Sequence, residues 1–247
     1  MRQPPTIVLV HGSGDTSRVW RHVRGHLAHP SVAVDLLGRG RRPYDLTQVT
    51  LDDAARVAAA DVQAESDGPW IVVAHSAGAL VAPRLVARLT AHDRSAVRHL
   101  VLVAGVVAAE GGQAVDIVQR ERRVDLEARR GPLLERYRGH TYVSPTDDET
   151  LAHVDGGLQV LRDPRLAQSI ESLNLLFQPV SWQGVPDGLP RTWVRCLRDP
   201  LQSREVQEQL ALASGATAVR DIDSGHTPAR DAPDVLAAML DEIAAGA

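Results

Sequence analysis

Lysine is absent from this sequence, and all 27 basic residues are arginine. Without a side-chain amine the chain cannot form a Schiff base with a carbonyl substrate or with pyridoxal phosphate. Nor can it supply the lysine of a phosphate-binding loop. Cysteine occurs once, at Cys196, which excludes an internal disulfide framework and points to a reducing, cytoplasmic setting. Long hydrophobic runs are also missing. The longest, around residues 100–109, is interrupted by Gly105 and falls short of the ~18 residues that cross a bilayer. The run at 7–10 is too short for a secretory signal, so no membrane partner is expected. A net charge of −4 gives no concentrated basic surface, so no nucleic-acid partner is expected either. Residues 119–138 do carry seven arginines against Glu121, Asp125, Glu127 and Glu135, which reads first as a solvated helical face and second as an anion-binding patch.

What is present is the composition of a globular protein, 44% apolar and 23% charged over 247 residues. That length admits two small domains, but one domain with an insertion fits the pattern better. β-Branched runs predict buried strands at 6–10, 32–35, 70–74, 99–103, 191–196 and 218–222. Helical spacing predicts helices near 18–28, 51–65, 77–91, 201–214 and 231–245. Alternating strand and helix implies an α/β architecture, a mostly parallel sheet with helices on both faces.

The rhythm fails between about 106 and 188, where no comparable apolar strand is visible. Polar helices are predicted there at 113–130, 147–161 and 164–176, broken by Gly131-Pro132, Ser144-Pro145 and Asp163-Pro164. A structureless loop of that length is improbable in a compact domain, so 106–188 reads as a helical cap inserted into a core made of 1–105 and 189–247.

Directly after the third strand comes Ala74-His75-Ser76-Ala77-Gly78, followed at once by a helix. Ser76 could simply cap that helix. The same five residues also resemble the nucleophile elbow of the α/β-hydrolase family, in which small neighbours let a serine stand exposed on a sharp strand-to-helix turn. The first glycine of that pattern is here Ala74. Two later loops supply partners in the family's chain order. Asp199 follows the predicted strand 191–196, and His226 follows 218–222, both just past strand ends where parallel sheets place their sites. Neutral imidazole suits His226 to take the serine proton, and Asp199 would hold its tautomer. Asp221 and Asp223 are alternative acids, set aside because they lie so close to His226 that they should shape its turn. The end of the fourth strand offers Gly105-Val106-Val107 and no carboxylate until Glu110.

The loop His11-Gly12-Ser13-Gly14 resembles the family's His-Gly motif. It implies an oxyanion hole formed by the backbone amides of Ser13 and Ala77. Asp35 followed by Gly38-Arg39-Gly40 belongs to the same likeness, and the segment 194–199 is similar to the methyl-esterase and hydroxynitrile-lyase branch. In the lyase branch a threonine follows the first-strand histidine and a lysine follows the catalytic one. Here those positions are Gly12 and Thr227, which favours hydrolysis. The resemblance therefore implies a serine hydrolase of a small-molecule ester, lactone or thioester that requires no cofactor or metal. Alternatives are lyase or cyclase chemistry on the same residues, or a ligand sensor on a hydrolase fold. His75 is expected to point away from the site and His11 to support its loop. His22, His26 and His29, placed along one helix, lack a carboxylate partner there and are not expected to bind metal. Cys196 is expected to be a buried small hydrophobe. Aromatics form only 3% of the chain, and those of the insertion could line a pocket or pack the cap. The oligomeric state leaves no mark in the sequence.

Overall fold

The computed structural model describes residues 3–122, 125–143 and 159–247. Six strands, β1 (Thr6–Val10), β2 (Ser31–Val34), β3 (Trp70–His75), β4 (Val97–Val103), β7 (Arg191–Cys196) and β8 (Ala218–Ile222), form one sheet in the order β2-β1-β3-β4-β7-β8. Every pairing in it is parallel. Parallel neighbours need crossover segments, and those crossovers cover both faces. The β-branched runs are therefore buried on both sides, as in β1 and β3, where every residue is buried.

Alternate residues divide the core in two. Val8, Val10, Val72, Ala74, Leu100, Leu102 and Trp193 face a cluster with α2 (Leu51–Glu65), α3 (Gly78–Leu89) and Val206 and Leu210 of α7 (Arg204–Ala213). Ile7, Leu9, Ile71, Val73, Val101, Val103 and Val194 face the other cluster, with Val23 of α1 (Arg21–His26) and Leu236 and Leu240 of α9 (Pro233–Ala245). A short helix α8 (Pro228–Asp231) precedes α9. Helix starts follow local chemistry. Thr50 caps α2 by accepting from the Asp53 amide at 3.0 Å while its hydroxyl donates to the Asp53 carboxylate at 2.7 Å.

Between β4 and β7 the chain carries α4 (Val115–Arg122), α5 (Glu127–Arg136), β5 (His140–Tyr142), β6 (Gln159–Leu161) and α6 (Pro164–Leu175). Three expectations are corrected here. The helix expected over 113–130 is two helices, and the second runs through Gly131-Pro132 instead of breaking there. α5 buries no residue, and Ala128, four residues before Pro132, is exposed, so a backbone bond lost to the proline carries a small penalty there. Of the helix expected at 147–161, residues 147–158 and the predicted Ser144-Pro145 break lie outside the described residues, while Gln159–Leu161 is a strand paired in parallel with His140–Tyr142. Three-residue strands are too short to show a period, which is why neither was visible in the sequence. The third helix agrees with expectation, with Asp163 capping it through the Arg165 and Leu166 amides. Among the described residues no helix is long and apolar enough to cross a membrane.

Packing is close where α3 leaves β3. A Cβ on Gly78 would overlap the backbone carbonyl oxygen of His11, so the β1 loop and the α3 N-terminus approach as closely as their backbones allow. Gly25, exposed in α1, has nothing within 4 Å of the same added atom. The two glycines should therefore respond oppositely to alanine. Gly78→Ala is expected to cost about 1–3 kcal/mol of unfolding free energy, and Gly25→Ala to gain roughly 0.5 kcal/mol from helix propensity. Urea unfolding of both variants measures the difference, and equal effects would refute the close-approach account.

Candidate active site

Four loops at the C-terminal ends of β1, β3, β7 and β8 meet at one edge of the sheet, because parallel strands deliver all their C-termini to the same side. Ser76 leaves β3 at φ +48°, a left-handed backbone that a non-glycine residue holds only when its surroundings impose it. Its amide donates to the Val103 carbonyl at 3.1 Å and its carbonyl accepts from Val106 at 2.8 Å, so the end of β4 and the segment just after it clamp the turn on both sides. The side chain then projects off the sheet edge, partly exposed. Gly12 makes room beside it, since a Cβ there would stand 2.9 Å from both Ser76 Cβ and His75 Nδ1.

The structure brings the three expected side chains together. Ser76 Oγ lies 2.9 Å from His226 Nε2, and His226 Nδ1 lies 2.7 Å from Asp199 Oδ2. The Asp199 side chain is fully buried, and its other oxygen accepts from the amides of Leu201 at 2.7 Å and Gln202 at 3.1 Å. An ionised Asp199 only accepts, so His226 carries its proton on Nδ1 and presents Nε2 as the acceptor for the Ser76 hydroxyl. The two loops are joined by backbone bonds from Leu197 to Ile222 and from Arg198 to Ser224. The other acids are engaged elsewhere. Asp221 holds Arg195 at 2.7 and 2.9 Å, Asp223 holds Arg198 at 2.6 Å, and Glu110 accepts from Ser181 and the Trp182 amide.

The amides of Ser13 and Ala77 donate to no acceptor among the described residues. Behind them His11 is fully buried. The Leu36 amide donates to its Nε2 at 3.0 Å, which puts the ring proton on Nδ1 and directs it to the Gly12 carbonyl at 2.9 Å. Burial lowers the His11 pKa, in keeping with a neutral ring. Asp35 accepts from the Ser17 and Arg41 amides, and Gly40 at φ +50° is required because a Cβ would overlap the Asp35 carboxyl.

The contacts of two residues in this region escaped the sequence reading. His75 is expected from the sequence to point away from the site, but its ring packs against it. Its Nε2 donates to the His226 carbonyl at 2.7 Å, and the two rings lie 5.1 Å apart. Glu171 of α6 is buried and its Oε2 accepts from Ser13 Oγ at 2.8 Å, from the Gly14 amide at 3.0 Å and from Arg39. A lone glutamate 158 positions away from Ser13 gives no sequence signal. The histidines considered for metal are also placed differently. α1 ends at His26, and His29 lies beyond it, paired with Asp241 at 2.7 Å. Among the described residues no cluster of three or more metal-ligating side chains occurs. Cys196 is buried, and burial pushes its thiol up to about 12, which removes it as a nucleophile. Of the aromatics, Trp20, Tyr142 and Phe177 are buried in the core clusters, and Trp182 lies under Arg191 with 4.4 Å to its ring.

Burial, reinforced by the neighbouring His226, lowers the His75 pKa from 6.5 to about 3. The unfolded chain takes up this proton below about pH 6.5, and the folded chain does not until about 3. The stabilisation is therefore complete above 6.5 and is lost as pH falls through that window, at up to about 2 kcal/mol between pH 6.5 and 5. His75→Gln, which keeps a donor without a titrating ring, should show a shallower loss between pH 7.5 and 5.0 in urea unfolding. Parallel pH curves for wild type and variant would contradict it.

Comparison with known proteins matches this geometry to a family. The Alpha/beta hydrolase family profile fits residues 7–239. Lipase LipV of Mycobacterium tuberculosis is 34% identical over 116 residues, which cover 47% of this chain and 42% of that protein, so the chain spans well under half the length of the curated relative it matches. A pyrethroid hydrolase from Sphingobium faniae shares the fold at a TM-score of 0.66 and 22% identity, over 98% of this chain and 97% of that one. A methylesterase from Arabidopsis does so at 0.63 and 19%, over 98% and 100%. With the profile running from β1 into α9 and the sheet ordered as described, the chain belongs to the alpha/beta hydrolase family.

Proposed function

We propose that the protein is a serine hydrolase that cleaves a small-molecule carboxylic ester, lactone or thioester through an acyl-enzyme on Ser76. The observation that carries this reading is the unbroken relay from Ser76 Oγ to His226 Nε2 at 2.9 Å and from His226 Nδ1 to Asp199 Oδ2 at 2.7 Å. A serine hydroxyl is a weak nucleophile until its proton has somewhere to go. His226 takes that proton as Oγ attacks the carbonyl carbon, and Asp199 stabilises the imidazolium that forms. The negative charge moves to the former carbonyl oxygen, where the Ser13 and Ala77 amides donate to it. Such donors act chiefly in the transition state, because they are oriented before the charge appears. Collapse of the tetrahedral species expels the alcohol or thiol, which receives the proton from His226. Water then repeats the sequence and frees the acid and Ser76.

In this reading the segment 106–188 serves as a cap over the site, supported by the contact of Glu171 in α6 with the β1 loop. No step needs a metal or an organic cofactor. A reducing, cytoplasmic setting suits the single buried thiol of Cys196. Hydrolysis is favoured over cyanohydrin cleavage by Gly12, which leaves the Ser13 amide open, and by Thr227, which carries no charge for a departing cyanide. The names of the lipase, pyrethroid hydrolase and methylesterase relatives all describe hydrolases, which agrees with this chemistry.

A fluorophosphonate probe should modify Ser76, located by peptide mapping, and wild type should hydrolyse a short-chain aryl ester that Ser76→Ala leaves intact. Labelling at another serine alone, or Ser76-dependent cyanide release from mandelonitrile without ester hydrolysis, would defeat the reading.

Asp199→Asn should lower kcat by a factor of about 10² to 10⁴ with little change in melting temperature, because it disturbs the tautomer and charge of His226 and not the fold. Asp223→Asn, whose carboxylate pairs with exposed Arg198, should retain activity. The reverse pattern would reassign the acid.

A further inference from the structure

The β1 loop is held from above as well as from behind. His11 and the sheet support it from below, and α6, which lies between β4 and β7 in the chain, reaches it with one carboxylate. Glu171 Oε2 accepts from Ser13 Oγ at 2.8 Å and from the Gly14 amide at 3.0 Å, and Ser172 Oγ stands 3.2 Å from Ser13 Oγ. Gly14 takes φ +81°, and its α-carbon faces the Gln168 side chain one turn earlier on α6. Ser13 and the residue after it are thus tied by short bonds to a single oxygen of the insertion.

That oxygen carries charge. A carboxylate this close to an oxyanion site opposes the charge that develops there, unless a cation on the same group cancels its field. Arg39 supplies the cation. Its Nη2 pairs with the same Oε2, both side chains are almost wholly buried, and the Tyr142 ring lies 4.7 Å from the guanidinium carbon. Burial works against ionisation of Glu171, and the Arg39 charge with the hydrogen bonds from Arg39 and Ser13 outweighs it, holding the carboxyl below its ordinary pKa. α6 has little freedom to withdraw, since Asn174 on the same face donates to the Leu46 and Val49 carbonyls at 2.9 and 2.8 Å.

We infer that Glu171 is a positioning residue for the reaction: its carboxylate, neutralised by Arg39, sets the Ser13 amide at the angle the oxyanion requires. The inference rests on the acyl-transfer reading above, in which Ser13 donates to the oxyanion. It makes the insertion part of the catalytic geometry, because the group that orders the loop comes from α6. It also assigns Arg39 to charge balance behind the loop, and not to substrate contact.

The test uses the paired variant Arg39→Met/Glu171→Met, which removes both charges together and leaves neither stranded in the interior. A loop donor that is displaced but still present should cost less than its deletion, so kcat for the aryl ester is expected to fall about 10- to 100-fold with KM within about twofold. Ser13→Ala, which keeps the amide and loses only the hydroxyl tie, should lower kcat less. Added to the paired variant, it should lower kcat no further, since the tie is already gone. Hydrogen–deuterium exchange of the peptide covering residues 11–15 should speed up at least tenfold in the paired variant, a readout that needs no substrate. Wild-type kcat in the paired variant, a matched rise in KM, additive losses with Ser13→Ala, or unchanged exchange of the loop would each overturn the inference. Absence of Ser76-dependent turnover in wild type would defeat the acyl-transfer reading instead, and loop exchange would still decide whether Glu171 orders the loop.

Discussion

The edge that carries the candidate site depends on one close approach, that of the α3 N-terminus to the loop after β1. Gly78 and the His11 carbonyl meet with no space for a side-chain carbon, and Gly12 and Ser76 meet almost as closely one step away. Because the two backbones are in contact, the amides of Ser13 and Ala77 belong to the same small region. In the proposed reaction that placement is set by packing before charge appears, as preorganised donors require. The strained φ of Ser76 is maintained by the same region, with Val103 at the end of β4 accepting and Val106 beyond it donating on either side of the turn. The Gly78 contact with His11 is therefore both a stability element and a condition of the proposed chemistry.

Around that contact, charge is carefully paired. Asp199 is buried but accepts three hydrogen bonds, and Glu171 is buried against Arg39. The two histidines beneath the loop and the elbow, His11 and His75, are kept neutral by burial, and each gives its proton to a backbone carbonyl. His226 alone among the central histidines has a hydroxyl on one nitrogen and a carboxylate on the other. That difference in partners, and not in residue type, is what sets its part in the proposed reaction apart from those of His11 and His75.

The sheet was legible because its strands are short runs rich in β-branched residues with helical spacing between them, and all six fall within two residues of where the sequence places them. The region between β4 and β7 was less legible for physical reasons. The helix α5 tolerates Gly131-Pro132 because it lies on the surface, and β5 and β6 are too short for a periodic signal. The misplacement of His29 on α1 follows from the same limit, since the helix stops at a point no capping residue announces.

By itself the sequence determined the alternation of strand and helix, and with it the edge to which Ser76, Asp199 and His226 must be delivered, because each follows a strand of one parallel sheet. It also determined the chemistry available there, through small residues at the turn and the absence of lysine. The sequence preferred Asp199 over Asp221 and Asp223 only by their nearness to His226, and the tertiary structure is what puts Asp199 against His226 while Arg195 and Arg198 hold the other two. The tertiary structure likewise decided the roles of His75 and Glu171. Both act through contacts with residues far away in the chain, His226 for one and Ser13 for the other, and distances of that kind exist only after the chain has folded.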